Sequence, residues 1–139
     1  MNYMNYNKLK DQLIIHEGLR LKPYRCPAGK LTIGIGRNLD DKGITESEAL
    51  DLLYNDLREC ERDLRGLFPD LHNYPENIQH VLMNMRFQLG GQGLRGFHLM
   101  IRAVENMDWP GMVREMKDSA WYGQTPNRAH DLIRLVEAV

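Results

Sequence analysis

The stretch from Thr45 to Leu67 limits the fold of this chain more than any other. Thr45-Glu46-Ser47-Glu48 is a capping box, in which the threonine oxygen and the Glu48 carboxylate satisfy free amides at a helix start. Behind it Ala49, Leu53, Leu57, Cys60, Leu64 and Leu67 recur at spacings of 4, 4, 3, 4 and 3, a single apolar stripe on one helix face. The stripe predicts a helix over about 46–66, roughly 30 Å long. In a chain of 139 residues, a helix of that length runs through the middle and joins two lobes.

The flanking segments read differently. Leu9, Leu13 and Ile14 suit one face of a short helix over 8–16, which Gly18 ends by tolerating a left-handed turn. From Leu19 to Leu39 apolar and polar residues alternate on both sides of a Pro-Ala-Gly turn at 27–29, the pattern of a β-hairpin or small sheet. Pro75 starts a further helix through Ile78, Val81, Leu82, Met85 and Leu89, and Gly90-Gly91 stops it. Shorter helices are expected at about 97–107 and 110–118, and Thr125-Pro126 opens a last one through Val136. Trp109, Met112, Met116, Met83, Met85 and Met100 read as core. Mostly helix with one small β region near the front is an α+β protein.

A net charge of −1 and a pI near 6.5 argue against a protein held to nucleic acid by bulk positive charge. No run reaches eighteen apolar residues, so membrane insertion is not expected. The N-terminus shows no apolar run of signal-peptide length. Both cysteines, Cys26 and Cys60, are therefore expected as thiols. No metal or other cofactor is expected: His16-Glu17 lacks the second histidine of a zinc helix, because position 20 is Arg20.

Glu17 closes the apolar first segment, Cys26 follows nine positions later, and Thr32 opens the run TIGIGRN at 32–38. Beside Ile14, Ile15 and Leu19 the Glu17 carboxyl is expected to be partly desolvated, which raises a carboxyl pKa and suits a general acid. An exposed carboxylate near a helix end is the plain alternative. Gly34-Ile35-Gly36 is expected as a tight strand with close backbone packing, not a dinucleotide loop.

Four blocks carry a resemblance. Glu17-Gly18-Leu19-Arg20-Leu21-Lys22 with Tyr24, TIGIG at 32–36, Phe87-Gln88-Leu89-Gly90 with Gly93 and Gly96-Phe97, and Trp121-Tyr122-Gly123-Gln124-Thr125-Pro126-Asn127-Arg128 stand in one order between about 13 and 130. The chain resembles the T-even bacteriophage lysozymes. The resemblance implies a lysozyme-like α+β fold: a small β-hairpin lobe at about 18–44, the long helix at about 46–66, and a helical lobe at about 67–139 that takes in the N-terminal helix. It implies a muramidase that hydrolyses the β-1,4 bond between N-acetylmuramic acid and N-acetylglucosamine in bacterial peptidoglycan. A monomeric endolysin is expected, held in the host cytoplasm until a separate protein permeabilises the membrane.

By the same resemblance Glu17 stands at the general acid and Thr32 at a threonine that helps hold the hydrolytic water. Phe87, Gln88, Gln124, Thr125 and Asn127 fall in cleft-lining blocks, and Arg128 matches an arginine that pairs with the catalytic glutamate. Arg37 replaces a histidine whose partner matches Asp56, so an Arg37–Asp56 ion pair or two separately solvated charges are both open. Trp121 and Tyr122 suit either sugar stacking or the core.

Cys26 departs from the best-known members, which have aspartate there, although the family pattern admits cysteine. A neutral thiol is a poor acceptor for water; Arg25, Lys22 and Lys30 would favour the thiolate if their charges came close. Three readings stand. Cys26 replaces the aspartate; it is a spectator beside Glu17 and Thr32; or the domain only binds glycan. A lytic transglycosylase using Glu17 alone is a further alternative, since the substrate's own hydroxyl then replaces water. Between sheet and long helix the chain has only Asp40-Asp41-Lys42-Gly43-Ile44, shorter than in the best-known members, which predicts a more open groove.

Overall fold

A computed structural model describes residues 3–139. The chain folds as two compact units, one up to Asp51 and one from Leu52 to Val139. The architecture is α+β, as the patterning predicts: seven α-helices and one three-stranded antiparallel sheet among the described residues.

The first unit holds α1 (Tyr6–Glu17), β1 (Arg20–Arg25), β2 (Leu31–Gly34), β3 (Arg37–Asn38) and the start of α2 (Glu46–Leu67). Asn5 caps α1 by accepting the Lys8 amide at 3.0 Å. Gly18 ends it at φ 79°, its N–H donating to the Ile14 carbonyl at 2.8 Å. The sheet runs in the order β1-β2-β3, with Tyr24 opposite Thr32 and Thr32 opposite Asn38. Between Arg20 and Tyr24 the register slips. Pro23 lies in that interval on an edge strand, where a missing N–H is tolerated. The β1–β2 turn is closed by the Gly29 N–H on the Cys26 carbonyl at 2.8 Å and the Cys26 N–H on the Lys30 carbonyl at 2.9 Å. With β3 the region is the small sheet, one of the two forms the patterning allows.

The capping box forms as read: Thr45 Oγ1 accepts the Glu48 amide at 3.1 Å, and Glu48 Oε1 accepts the Thr45 amide at 3.0 Å. Along α2 the apolar stripe is buried only in its second half, at Cys60 and Leu64; Leu53 and Leu57 are half-buried and Ala49 is exposed.

The second unit carries the core. After the 3₁₀ turn Leu71–Asn73 come α3 (Glu76–Arg95), α4 (His98–Glu105), α5 (Trp109–Lys117), α6 (Ala120–Gln124) and α7 (Pro126–Glu137). Phe68, Ile78, Leu82, Met85, Met100, Met112 and Met116 are fully enclosed, with Met83 and Trp109 packed at the edge. Gly90 ends the first helical run of α3, as expected, but a second short run follows it directly. At φ 74°, ψ 171° it breaks the helix, which resumes through Arg95. Thr125 stands at the N-cap of α7, yet its hydroxyl donates back to the Trp121 carbonyl at 3.1 Å.

Candidate active site

Glu17 is the last residue of α1. Its carboxylate lies against the β2–β3 turn: a Cβ on Gly36 would come within 2.8 Å of Glu17 Oε2 and 3.0 Å of Cδ. Gly36 also sits at φ 69°, so both its backbone and its missing side chain are needed there. The close backbone approach read into Gly34-Ile35-Gly36 has this cause. The desolvation expected of Glu17 is not seen. Ile15 is 81% exposed, Leu19 57%, and Glu17 itself is exposed, because α1 buries none of its residues and the Gly18 turn carries Leu19 into an open strand edge.

Cys26 and Thr32 are brought together by the hairpin. Thr32 is the one buried residue among those described in the first unit, and its hydroxyl donates to the Lys30 carbonyl at 2.9 Å. The Cys26 thiol is held below its ordinary pKa, first by a hydrogen bond from the Lys30 backbone. The Ala28 backbone, the Thr32 hydroxyl and its own backbone add to this, while burial acts the other way. The lowering thus has a different origin from the one expected. Arg25 is turned to the Gly29 carbonyl and Asp40, and Lys30 to Asp41; the turn amides, not these side-chain charges, stabilise the sulfur.

Arg37 donates Nη1 to Glu48 Oε1 at 2.8 Å and to the Gly43 carbonyl at 3.3 Å. Chiefly through this guanidinium, with the Thr45 amide next, the Glu48 carboxyl is lowered to about 2. The capping residue thereby has a second task that the sequence reading missed. Asp56 is exposed on the part of α2 that belongs to the second unit.

In the second unit Gln88 and Trp121 are joined: the indole Nε1–H donates to Gln88 Oε1 at 2.9 Å. That fixes the amide with its NH₂ group turned outward from the bond, as a donor. Trp121 is 4% exposed and stacks edge-on against Phe97, so its role is core. Phe87 is 43% exposed, three residues before the break at Gly90. Gln124 and Asn127 are exposed and Thr125 is half-buried. Arg128 donates Nε to Asn84 Oδ1 at 2.8 Å, a partner no sequence signal indicated.

The phage lysozyme family model matches residues 15–134, a range that contains every candidate residue above. The chain belongs to the phage lysozyme family. It is similar to the probable T4-type lysozyme 1 of Dictyostelium discoideum, 29% identical over 161 aligned positions that cover 94% of each protein. It is also similar to the pre-baseplate central spike protein Gp5 of Enterobacteria phage T4, 30% identical over 92% of this chain and 27% of that protein. This phage lysozyme-family chain is accordingly a glycoside hydrolase of lysozyme type. An alignment of 161 positions exceeds the 139 residues available, so the Dictyostelium protein has residues where this chain has none.

Proposed function

We propose that this lysozyme-family chain hydrolyses the β-1,4 bond between N-acetylmuramic acid and N-acetylglucosamine in bacterial peptidoglycan. Glu17 donates its proton to the glycosidic oxygen as the bond to the anomeric carbon breaks. A water oxygen bonds to that carbon, and the water's proton passes to the Cys26 thiolate. Proton exchange with solvent then restores the neutral Glu17 acid and the thiolate. Thr32, its hydroxyl donating to the Lys30 carbonyl, braces the turn that holds this sulfur. Phe87, Gln88, Gln124, Thr125 and Asn127 supply sugar contacts, with the Gln88 NH₂ as a fixed donor.

One observation carries this reading: the hairpin turn sets Cys26 beside the buried Thr32, whose hydroxyl donates to the Lys30 carbonyl, and the turn backbone at Lys30 and Ala28 holds the thiol below its ordinary pKa. A thiol held below its ordinary pKa beside a buried hydroxyl suits water handling, which a transglycosylase does not need. It also speaks against a domain that only binds glycan. We further propose that the protein acts as a monomeric endolysin, accumulating in the host cytoplasm and reaching the wall at lysis.

Mass spectrometry of digested purified sacculi tests the reaction. Hydrolysis at this bond leaves reducing N-acetylmuramic acid ends. A 1,6-anhydro end would instead establish transglycosylation, reducing N-acetylglucosamine ends would move the cleaved bond, and intact glycan bound to the protein would leave only a binding domain.

A further inference from the structure

Asp63, near the end of α2, binds two arginines of α3 that stand on opposite sides of its break. Asp63 Oδ2 accepts from Arg86 Nε at 2.6 Å and from Arg95 Nη1 at 3.1 Å, and Oδ1 accepts from Arg95 Nη2 at 2.6 Å. Arg86 precedes Gly90, and Arg95 is the last residue of the helix. Arg95 Nη1 also donates to the Gly91 carbonyl at 3.1 Å, so the cluster reaches the main chain at the break itself. Gly91 has no room for a side chain: a Cβ would lie 2.8 Å from Arg95 Nη1 and 2.9 Å from Asp63 Oδ2.

A glycine in a left-handed turn inside a helix leaves the two halves free to pivot unless something ties them. Here one half-buried carboxylate ties both, with a fork-to-fork pair on one side and a single charge-assisted bond on the other. Phe87 and Gln88 lie among the three residues between Arg86 and the break, and Gln88 holds Trp121 through its side-chain oxygen. We infer that the Asp63–Arg86–Arg95 clamp is a positioning device that sets the bend at Gly90 and so aims Phe87 and Gln88 at the glycan. The inference rests on those two residues being sugar contacts. Asp63 touches no substrate atom in this scheme and acts only through them. Its carboxyl, lowered to about 2 chiefly by Arg95 and then Arg86, stays ionised wherever the enzyme works.

Two variants open the clamp by different routes. Asp63→Asn removes the charge, and Gly91→Ala keeps every charge but wedges Arg95 from Asp63. Each is assayed on soluble, uncrosslinked peptidoglycan chains below its melting temperature. A Trp109→Phe background makes Trp121 the only emitting indole, since Trp109 and Trp121 are the two tryptophans. The clamp predicts a KM raised about five-fold or more with kcat within about two-fold, a shifted Trp121 emission, and no additional KM change when Asp63→Asn is placed on Gln88→Ala. Native KM and native emission in either folded variant, whatever its melting temperature, overturn the inference and leave an ordinary stabilising ion pair. A native KM in Gln88→Ala alone overturns the substrate reading on which the inference rests. In that case the emission of Asp63→Asn still decides whether the clamp sets the local geometry.

Discussion

Gly36→Ala separates the placement of the Glu17 carboxylate from backbone strain, because the structure supplies its own control. Gly34 and Gly36 sit at φ 70° and 69°, so alanine at either costs about 1–2 kcal/mol of left-handed strain. For a chain of this size that lowers the melting temperature by roughly 3–10 °C in both variants. A Cβ at Gly34 meets nothing within 4 Å, whereas one at Gly36 meets Glu17 Oε2 at 2.8 Å. To restore an ordinary contact the carboxylate must retreat by about half an ångström or more. A misplacement of about 1 Å costs on the order of 100-fold in rate, so roughly 10-fold is expected here. The assay is clearing of purified sacculi, corrected for the folded fraction from parallel melts. Gly36→Ala should lose about ten-fold more activity than Gly34→Ala, by the same reasoning. Equal losses would refute it, since strain alone would then account for both.

If Cys26 accepts the water's proton, activity rises with pH through a thiol titration lying below 9.0; Cys26→Asp should flatten that rise above about pH 5, and Cys26→Ala should lose about 100-fold or more. A Cys26→Ala profile matching the native one would make the cysteine a spectator. The folded Asp63 and Glu48 carboxyls both lie at about 2, below their ordinary 3.8 and 4.5. The stability they contribute is therefore complete above about pH 5 and is lost as pH falls toward 2. Asp63, with a side chain 24% exposed, accounts for about 2 kcal/mol of it. Melting curves of Asp63→Asn should accordingly depend less on pH between 5 and 2 than those of the native chain; identical slopes would contradict the clamp's charge balance.

Local signals carried most of the fold. The capping box at Thr45–Glu48, the glycine stop at Gly18, the turn at 27–29 and the methionine-rich core are each set by residues within a few positions of one another, so propensity and spacing were enough. Gly90 was legible only as an interruption. Whether a helix stops or bends at a glycine depends on what holds the far side, here Asp63 from another helix. α6 was missed because five residues give no period to read. In the site, the pairing of Cys26 with Thr32 follows from the hairpin register and was readable. The source of the sulfur's charge stabilisation was not: it comes from amides ordered by the turn, while the nearby arginine and lysine turn to aspartates. Glu17 was found by motif. Its surroundings were misjudged because sequence neighbours on a helix end need not be spatial neighbours, and Gly36, nineteen positions on, proves to be one.

Turnover of purified sacculi by Glu17→Gln is the most direct measurement. Glutamine keeps the side chain's size and its fit over Gly36 but has no acidic proton to give the leaving oxygen. Loss of about 100-fold or more in rate, with native melting and unchanged binding to the sacculi, is the expected result. A Glu17→Gln protein that clears the wall at the native rate would contradict the assignment of Glu17 as the proton donor.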